Sequence, residues 1–410
     1  MRSIVLPQAA RRPVMALAAA VLVFPALVGA SPVRAQGNGA AGASWIRACS
    51  TLAAGDTVRC HGLQVTNTVQ RIAPYGVSLN GAPAGYGPAD LLDAYNLPAN
   101  GGAGQTIAVI DAYDHPTAEA DLAVYRAQFG LPACTTANGC FKKVDQNGGT
   151  HYPRKDAGWA GEISLDLAMV SAIAPNAKII LVEAKKATLA GLGTGVNTAV
   201  RLGAKFISNS YGAIETSSDP AYDASYFDHP GVAITASSGD SGLTVQYPAA
   251  SRKVIAVGGT ALWRDSSARG WSESVYASGL AAAGSGCSAY NAKPAWQKDT
   301  GCANRTVADL SAVADPATGV AVYQTYGAKG WVVYGGTSVG APIIAAVYAD
   351  AGAPTVSYPA ANPYAHPAEL FEVSSGATAN CSPAYLCTGT VGYDGPTGLG
   401  TPNGIAAFAG

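Results

Sequence analysis

The stretch Lys178-Ile-Ile-Leu-Val-Glu183 gives the clearest indication of the fold. Four apolar residues in succession make both faces of this strand-length run apolar, which is typical of a central strand in a parallel sheet covered by helices. A helical pattern follows at 196–202, so that a strand and a helix alternate here. Similar apolar runs of strand length lie at 106–110, 206–210, 232–236 and 254–257. The sequence therefore predicts an α/β fold with a parallel sheet flanked by helices.

Polar and glycine-rich segments come at the ends of several of these strands. They are Asp111, Ser210-Tyr-Gly, Ser238-Gly-Asp-Ser-Gly242 and Gly258-Gly259. Ligands of open α/β sheets bind beyond the carboxyl ends of the strands, so we expect these segments to meet at one edge of the sheet. Asp111 and the nearby Asp114 are interpreted as structural or supporting residues of a cleft at that edge.

The composition limits the classes of protein that the chain can belong to. Its 410 residues are 49% hydrophobic and 12% charged, and the formal net charge is -1 at pH 7. The 49 glycines and 25 prolines follow no collagen-like period. A chain of this length can bury a large core. Because no cluster of Lys and Arg is present, nucleic acid and anionic membrane surfaces are excluded as partners.

The first 35 residues have the pattern of a secretory signal peptide. Three arginines precede an apolar run at 14–27, and small residues stand at 28–30 and 33–35, as at a cleavage site. A membrane anchor is the alternative, but Pro25 interrupts a run shorter than a spanning helix needs. We expect residues 1–35 to be a signal peptide and the protein to be secreted, to the medium or the periplasm.

Residues 36–84 are polar and rich in Gly and Ala, and they end in a Gly/Pro-rich stretch. We interpret them as a short pro-segment and linker, as in a zymogen. After them, the alternation of strands and helices predicts a single domain over residues 85–410.

All eight cysteines lie after the predicted signal peptide. An even number in an exported chain favours disulfide bonds, although the sequence alone permits several connectivities. Zinc is a weaker alternative, because there is no C-x-x-C motif and the histidines lack ligand spacing. The short-range couples are Cys49–Cys60, Cys134–Cys140, Cys287–Cys302 and Cys381–Cys387.

Glu162 and Asp166 lie four residues apart in a segment whose apolar residues recur at helical spacing. This spacing stacks two carboxyl groups one helical turn apart, where they can share a proton and act as a coupled acid/base pair. An exposed helix face is the alternative, and the spacing alone does not decide between the two.

Ser338 and Asp240 are the other candidates for chemistry. Ser338 directly precedes an apolar helix at 343–348, where free N–H groups could hold an oxyanion beside the hydroxyl. A helix N-cap with Pro342 in the first turn is the alternative. A protonated Asp240 could donate a hydrogen bond to an oxyanion, whereas its structural alternative is an Asx-turn.

The segments 371–376 and 390–402 bring two acids and many carbonyl groups into a region of tight turns. Oxygen ligands of this mixed kind suit Ca²⁺, and the alternative is a plain glycine-turn hairpin.

Taken together and in this order, these motifs resemble the sedolisin family of serine-carboxyl peptidases. The resemblance implies a subtilisin-like parallel sheet flanked by helices, in a single catalytic domain that includes a calcium-site region at about 370–402. The motifs are Glu162-x-x-x-Asp166, Ser210-Tyr-Gly, Ser238-Gly-Asp-Ser-Gly242, Gly336-Thr-Ser-Val-Gly-Ala-Pro342 and Gly392-Tyr-Asp-Gly-Pro-Thr-Gly-Leu-Gly400.

The resemblance implies a role for each catalytic candidate. Ser338 would be the nucleophile, and Glu162 the general base and then the general acid. Asp166 would orient Glu162, and Asp240 would donate to the oxyanion. We therefore expect an acid-active endopeptidase that cleaves protein or peptide substrates through an acyl-enzyme at Ser338, as a monomer with no membrane association after signal removal.

The resemblance also implies one structural Ca²⁺ ion. Its ligands would be the side chains of Glu372 and Asp394 and the carbonyl oxygens of Val373, Thr390 and Gly392. Glu372 departs from the Asp, and Thr390 from the Gly, that the family usually has at these positions. The pro-segment is also shorter than the family's separately folded prodomain.

Two other functions are compatible with parts of the sequence. One is a Ser/His/Asp hydrolase that uses Asp111 with a histidine such as His151 or His229, although no histidine lies in a helix-opening glycine motif. The other is a catalytically silent secreted binding protein on the same fold.

Overall fold

The computed structural model describes residues 43–49, 52–67 and 83–410, together with Met1 and the backbone of 36–38. The chain from residue 34 to residue 410 forms one compact unit. The predicted signal peptide lies outside the described residues, as does part of the predicted pro-segment. In the part of the chain that the structure describes, every helix is too short or too polar to cross a lipid bilayer.

The helices and strands are named here in chain order. The α-helices are Pro88–Ala94 (α1), Ala118–Gln128 (α2), Ala157–Ile173 (α3), Leu189–Arg201 (α4), Asp219–Tyr222 (α5), Gly340–Ala351 (α6) and Ala361–Ala365 (α7). The strands are Gln36–Asn38 (β1), Ser44–Arg47 (β2), Arg59–Cys60 (β3), Leu63–Val65 (β4), Thr106–Ala112 (β5), Phe141–Asp145 (β6), Lys178–Ala184 (β7), Phe206–Asn209 (β8), Tyr211–Ile214 (β9), Ala233–Ser237 (β10), Gln246–Tyr247 (β11), Ile255–Arg264 (β12), Trp271–Val275 (β13), Ala277–Ser278 (β14), Ala281–Ala282 (β15), Gly286–Ala292 (β16), Asn304–Val307 (β17), Leu310–Val313 (β18), Val320–Gln324 (β19), Gly330–Gly335 (β20), Leu370–Phe371 (β21) and Thr401–Pro402 (β22).

The largest sheet has the strand order β13-β12-β10-β8-β5-β7-β6, with β18 beside β12. Its strands pair in parallel, except that β13 runs antiparallel to β12. The quoted strand β7 pairs with β5 from Thr106 opposite Lys178 to Ala112 opposite Ala184. The predicted α/β fold with a parallel sheet flanked by helices is therefore confirmed.

Successive residues of β5 point into two different hydrophobic cores. Ile107 and Val109 lie in the core that α3 and α6 cover, whereas Ala108 and Ile110 lie in the core that α4 covers. Side chains of a strand alternate between the two faces of a sheet, so helices must cover both faces to bury them. This two-sided burial is the physical reason for the continuous apolar runs in the sequence.

A second sheet has the order β1-β2-β4-β20-β19 and is antiparallel throughout. It joins the early strands β2 and β4 to the hairpin β19–β20, which leads into the loop before α6. The described part of the predicted pro-segment therefore packs on the domain that follows it. The predicted boundary at residue 85 stays a prediction.

The prediction that Gly258 and Gly259 follow a strand is wrong, because both lie inside β12. At Gly258 a Cβ would collide with the carbonyl oxygen of Pro396, and at Gly259 with the side chain of Ala314. These glycines do not end the strand. They allow the C-terminal loop and the end of β18 to approach it closely.

The predicted cysteine pairing is confirmed. Each disulfide joins cysteines that are between 6 and 15 residues apart in the sequence, and no cysteine is left free. The zinc alternative for these sulfurs is therefore wrong. The disulfides are Cys49–Cys60, Cys134–Cys140, Cys287–Cys302 and Cys381–Cys387.

Candidate active site

Ser338 lies in the loop between β20 and α6, one residue before the helix N-cap Val339. Its side chain is fully buried and makes no capping hydrogen bond, so the N-cap alternative is wrong. Instead, its Oγ donates to the carbonyl oxygen of Ser210, over 3.2 Å. The loop thus turns the hydroxyl away from the helix and toward the carboxyl edge of the large sheet.

Glu162 lies on α3, whose N-cap Asp156 accepts hydrogen bonds from the N–H groups of Gly158 and Trp159. It is fully buried, so the exposed-face alternative is wrong. Its Oε2 accepts from the N–H of Gly62, over 2.9 Å, and its Oε1 has no hydrogen-bond partner.

The pKa of Glu162 is raised well above its usual range. Burial is the largest cause, and the charge of Asp111 adds to it. The nearby Ser338 hydroxyl and the hydrogen bond from the Gly62 N–H oppose this rise, because both favour the charged carboxylate. Glu162 is therefore close to Ser338 and holds its proton more tightly than a solvated glutamate does.

Asp166, one turn further along α3, is also fully buried. Its Oδ1 accepts from the Ser210 hydroxyl, over 2.8 Å, and its Oδ2 has no partner. Burial raises its pKa well above the usual range, and the charges of Asp111 and Glu162 add to the rise. The charges of the two predicted acids on this helix thus affect each other's pKa values. Ser210 connects Asp166 to the Ser338 loop.

Asp111 has a more central position than the sequence indicated. It is the penultimate residue of β5, it is fully buried, and neither of its carboxyl oxygens has a hydrogen-bond partner. Burial raises its pKa to about 8. The sequence signal was an acid at the end of a buried strand, and this signal does not distinguish a supporting residue from a third member of a carboxyl cluster.

Asp240, in the loop after β10, is fully buried. Its Oδ1 accepts from the Thr337 N–H, over 2.9 Å, and its Oδ2 has no partner. The carboxyl therefore bonds to the residue before Ser338 and not to its own loop, so the Asx-turn alternative is wrong. Burial raises its pKa to about 7, and the positive charge of Arg47 opposes this.

The histidines do not form a Ser/His/Asp arrangement. In the described ranges no histidine ring hydrogen-bonds to Ser338. The His229 ring contacts the side-chain oxygen of Asn197, over 2.8 Å, and His151 is exposed. Asp114 forms an ion pair with Lys143, as expected for a supporting residue.

Near the C-terminus, the two acids predicted to bind calcium meet the same loop. Glu372 Oε1 accepts from the Gly392 N–H, over 2.6 Å, and Asp394 Oδ2 accepts from the Thr390 N–H, over 3.1 Å. Asp394 and Val373 are buried, whereas Glu372 is exposed. The structure thus brings the carboxyl groups of Glu372 and Asp394 to the backbone of 390–392.

One other group in the described residues has converging ligand atoms. The Sγ atoms of Cys49 and Cys60 and a carboxylate oxygen of Glu162 all lie within 4.8 Å of one another. Because the two sulfurs are joined in a disulfide, they are not available as thiolate ligands. This proximity instead shows that the first disulfide lies against the candidate active site.

A mainly parallel sheet flanked by helices, with a buried serine among carboxyl groups at its carboxyl edge, defines the class of subtilisin-like serine peptidases. The profile of the subtilase family matches residues 134–363. The chain belongs to this family and, within it, to the sedolisin family of serine-carboxyl peptidases.

Two curated relatives and one solved structure support this assignment. Kumamolisin of Bacillus sp. strain MN-32 is 34% identical over 367 residues, which cover 80% of this chain and 64% of that protein. Sedolisin of Pseudomonas sp. strain 101 is 32% identical over 200 residues, which cover 42% of this chain and 33% of that protein. The chain thus spans less than two thirds of the length of either relative.

The solved structure is Pseudomonas sedolisin, a serine-carboxyl proteinase, in complex with two molecules of pseudo-iodotyrostatin. It superposes with a TM-score of 0.65 at 26% identity, covering 79% of this chain and 96% of that one. The predicted subtilisin-like fold is confirmed over most of the chain.

Proposed function

We propose that this protein is a secreted, acid-active endopeptidase that hydrolyses protein or peptide substrates through an acyl-enzyme at Ser338. The observation that carries the proposal is the position of the buried Ser338 loop among carboxyl groups with raised pKa values, those of Glu162, Asp166 and Asp240. Kumamolisin and sedolisin, its relatives, support the reaction class.

In the first half of the reaction, Ser338 Oγ attacks the carbonyl carbon of the scissile bond while Glu162 accepts the hydroxyl proton. The carbonyl oxygen becomes an oxyanion, to which a protonated Asp240 donates through its unpaired Oδ2. Glu162 then gives the proton to the leaving amine. In the second half, Glu162 activates a water molecule that releases the acid product.

The base must be ionised in acid, although its pKa is raised. The site holds three interacting carboxyl groups, those of Glu162, Asp166 and Asp111. Because each charge affects the other two, each titration step is a property of all three groups together. The first proton leaves at the lowest pH, since no other charge yet opposes it. The hydrogen bond from the Gly62 N–H and the nearby Ser338 hydroxyl favour Glu162 as the site of that first negative charge.

The pH range of activity follows from Asp240, whose carboxyl group donates a hydrogen bond only in its protonated form. With a pKa of about 7, the donor is intact in acid. Above that pH, the protonated fraction falls about tenfold for each pH unit. Activity should therefore be confined to acidic solution.

Secretion and a structural calcium ion are further parts of the proposal. Four disulfides suit an oxidising compartment, in agreement with the signal-like residues 1–35. Glu372 and Asp394 both bond to one loop. Their carboxylates and the carbonyl groups of Val373, Thr390 and Gly392 would supply oxygen ligands of the kind that Ca²⁺ takes. When bound, Ca²⁺ would brace this loop.

The reaction is tested by measuring hydrolysis of a protein substrate from pH 2 to pH 9. We expect activity only in acid, and its loss in Ser338→Ala. Ser375→Ala is the matched control, because the hydroxyl of this exposed serine donates to the Glu273 carbonyl oxygen and lies outside the candidate active site. A neutral optimum, or full activity of Ser338→Ala, would contradict the proposed mechanism.

The calcium site is tested by thermal unfolding with and without a chelator. Removal of Ca²⁺ should lower the melting temperature of the wild type, and added Ca²⁺ should restore it. In Glu372→Gln the chelator should have a smaller effect. Equal melting temperatures with and without chelator in the wild type would argue against the site.

A further inference from the structure

A buried tyrosine lies beside Asp240, the candidate donor to the oxyanion. Tyr276 follows directly after β13, and its side chain is fully buried. Its N–H donates to the carbonyl oxygen of Gly259, over 3.0 Å, and its own carbonyl oxygen accepts from the Ala283 N–H, over 3.1 Å. The backbone of Tyr276 is therefore bonded to β12 on one side and to the segment after β15 on the other.

The Tyr276 ring also lies next to the loop that carries the nucleophile. A Cβ atom on Gly259 would lie 3.0 Å from Tyr276 Cδ1 and 3.3 Å from Thr337 Cγ2, so both side chains border this glycine. Thr337 donates its N–H to Asp240 Oδ1, over 2.9 Å, and its Oγ1 accepts from the Gly239 N–H, over 3.1 Å. Thr337 therefore has the Asp240 carboxyl at its backbone and the Tyr276 ring near its side chain.

The Tyr276 hydroxyl and the Asp240 carboxyl complement each other. Within the described part of the chain, neither this hydroxyl nor Asp240 Oδ2 has a hydrogen-bond partner, although both are buried. Leaving a buried polar group without a partner is costly. The nearby hydroxyl favours the charged form of Asp240, as a hydrogen-bond donor does. Tyr276 thus has the position of a donor to the ionised carboxyl.

The Tyr276 hydroxyl keeps its proton in the whole pH range of the proposed activity. Burial raises its pKa well above the usual range, the charges of Asp240 and Asp315 add to the rise, and Arg47 opposes it. Asp315 itself is buried, which raises its pKa to about 6, and its Oδ1 accepts from the Ala317 N–H, over 2.8 Å. Tyr276 is therefore a donor that does not titrate, whereas the carboxyl beside it does.

Other groups face Asp240 from three further elements. Arg47 on β2 donates to the Asp240 carbonyl oxygen, over 3.1 Å, and its positive charge favours the ionised carboxyl. Thr337 favours the same form. On α3, the negative charges of Glu162 and Asp240 oppose each other. Since Arg47 lies in the predicted pro-segment, Thr337 and Tyr276 are the residues of the predicted catalytic domain that favour the ionised form.

We propose that Tyr276 is a positioning residue, which holds the Asp240 carboxyl through its hydroxyl and sets the upper pH limit of the reaction. The proposal rests on the proposed peptidase function. Asp240 serves the oxyanion only while it is protonated. Because the Tyr276 hydroxyl donates to the ionised carboxyl, it stabilises the form of Asp240 that cannot act on the oxyanion. Loss of this hydroxyl should therefore extend activity to higher pH.

The first test compares the pH profiles of peptide hydrolysis by the wild type and Tyr276→Phe, which keeps the ring and removes the hydroxyl. The pH at which activity falls to half of its maximum should rise by about one unit in the variant, as expected for a lost hydrogen bond to a charged group. Activity on the acid plateau should stay within about twofold, because the hydroxyl acts on the ionised carboxyl.

Tyr125→Phe is the matched control for this change. Tyr125 lies on α2, its side chain is buried, and its hydroxyl also has no hydrogen-bond partner among the described residues. The control removes the same atom from the same kind of surroundings, but away from Asp240, and should leave the upper pH limit unchanged. Tyr276→Met, which also lacks the hydroxyl and has a flexible side chain, replaces Tyr276→Phe if that variant does not fold.

A second test measures the carboxyl directly and does not depend on activity. Aspartate labelled with ¹³C at the carboxyl carbon is followed by NMR during a pH titration, in a Ser338→Ala background. The resonance that is absent from Asp240→Asn belongs to Asp240. Its titration midpoint should rise by about one pH unit in Tyr276→Phe and stay unchanged in Tyr125→Phe.

The outcomes distinguish this inference from the peptidase function. If Tyr276→Phe loses activity equally at every pH, or keeps the upper pH limit of the wild type, the inference is overturned and the function stands. An Asp240 midpoint that does not move in Tyr276→Phe would also overturn it. If the wild type hydrolyses no peptide in acid, the proposed function fails, and the role of Tyr276 in the pH limit with it.

Discussion

We expect the difference in stability between Asp111→Asn and the wild type to favour the variant more at neutral pH than at acidic pH. The carboxyl of Asp111 is fully buried, has no hydrogen-bond partner, and has a pKa raised by burial to about 8. In the unfolded chain the pKa of an aspartate is about 3.9. Between these values the folded protein keeps a proton that the unfolded chain releases.

The sign and size of the effect follow from proton linkage. A raised pKa gives stability that is fully present below the unfolded value and is lost as the pH rises through the folded value. The loss is about 1.4 kcal/mol for each pH unit, or ~4 kcal/mol between pH 4 and pH 7. Asparagine does not titrate, so Asp111→Asn removes the part of this dependence that Asp111 contributes.

The free energy of unfolding should be measured by urea denaturation at pH 4 and pH 7, in a Ser338→Ala background that prevents self-digestion. The benefit of Asp111→Asn should be ~4 kcal/mol larger at pH 7 than at pH 4. Ser208→Ala is the control, since it removes a buried, unpaired hydroxyl on the adjacent strand that does not titrate. An equal effect of Asp111→Asn at both pH values would refute the buried-proton argument.

Three further changes test other parts of the structure. Asp240→Ala should lower kcat about 100- to 1000-fold with little change in KM, because it removes one oxyanion donor, and steady-state kinetics at acidic pH would show this. Replacing both Cys49 and Cys60 with serine should lower the free energy of urea unfolding by about 3 kcal/mol; no change would mean that the loop is not constrained. Ile343→Ala, at a fully buried position of α6, should cost about 2–5 kcal/mol in the same assay, and a cost below 1 kcal/mol would contradict the tight packing.

Local sequence patterns predicted the large sheet, and they indicated the segments that hold the four catalytic candidates. Burial on both faces leaves continuous apolar runs such as 179–182, and a helical spacing of apolar residues identified the α3 segment. The predicted strand at 106–110 lies within β5, and the predicted helix at 343–348 lies within α6. These features depend on neighbours in the chain, which is why they are readable from sequence.

The features that the sequence did not predict depend on contacts between distant parts of the chain. Nothing in 63–65 indicates that it pairs with 330–335, and these segments are far apart in sequence. The three-carboxyl cluster arises likewise, because Asp111 on β5 meets Glu162 and Asp166 only after the helix packs on the sheet. The motif resemblance predicted the family, but not the contacts that His61 and Gly62 make with Ser338 and Glu162.

The helix α3 is buried on all sides from Trp159 to Ile173, and this has a consequence for engineering the enzyme. The raised pKa values of its carboxyl groups come from the apolar interior that surrounds them. Charges added to the outer surface act through water and are screened by salt within about 10 Å, so they should hardly move the pH optimum. A variant that is active at neutral pH must therefore be sought among substitutions in the interior. There, each change in the pKa of a buried carboxyl group also changes the free energy of folding.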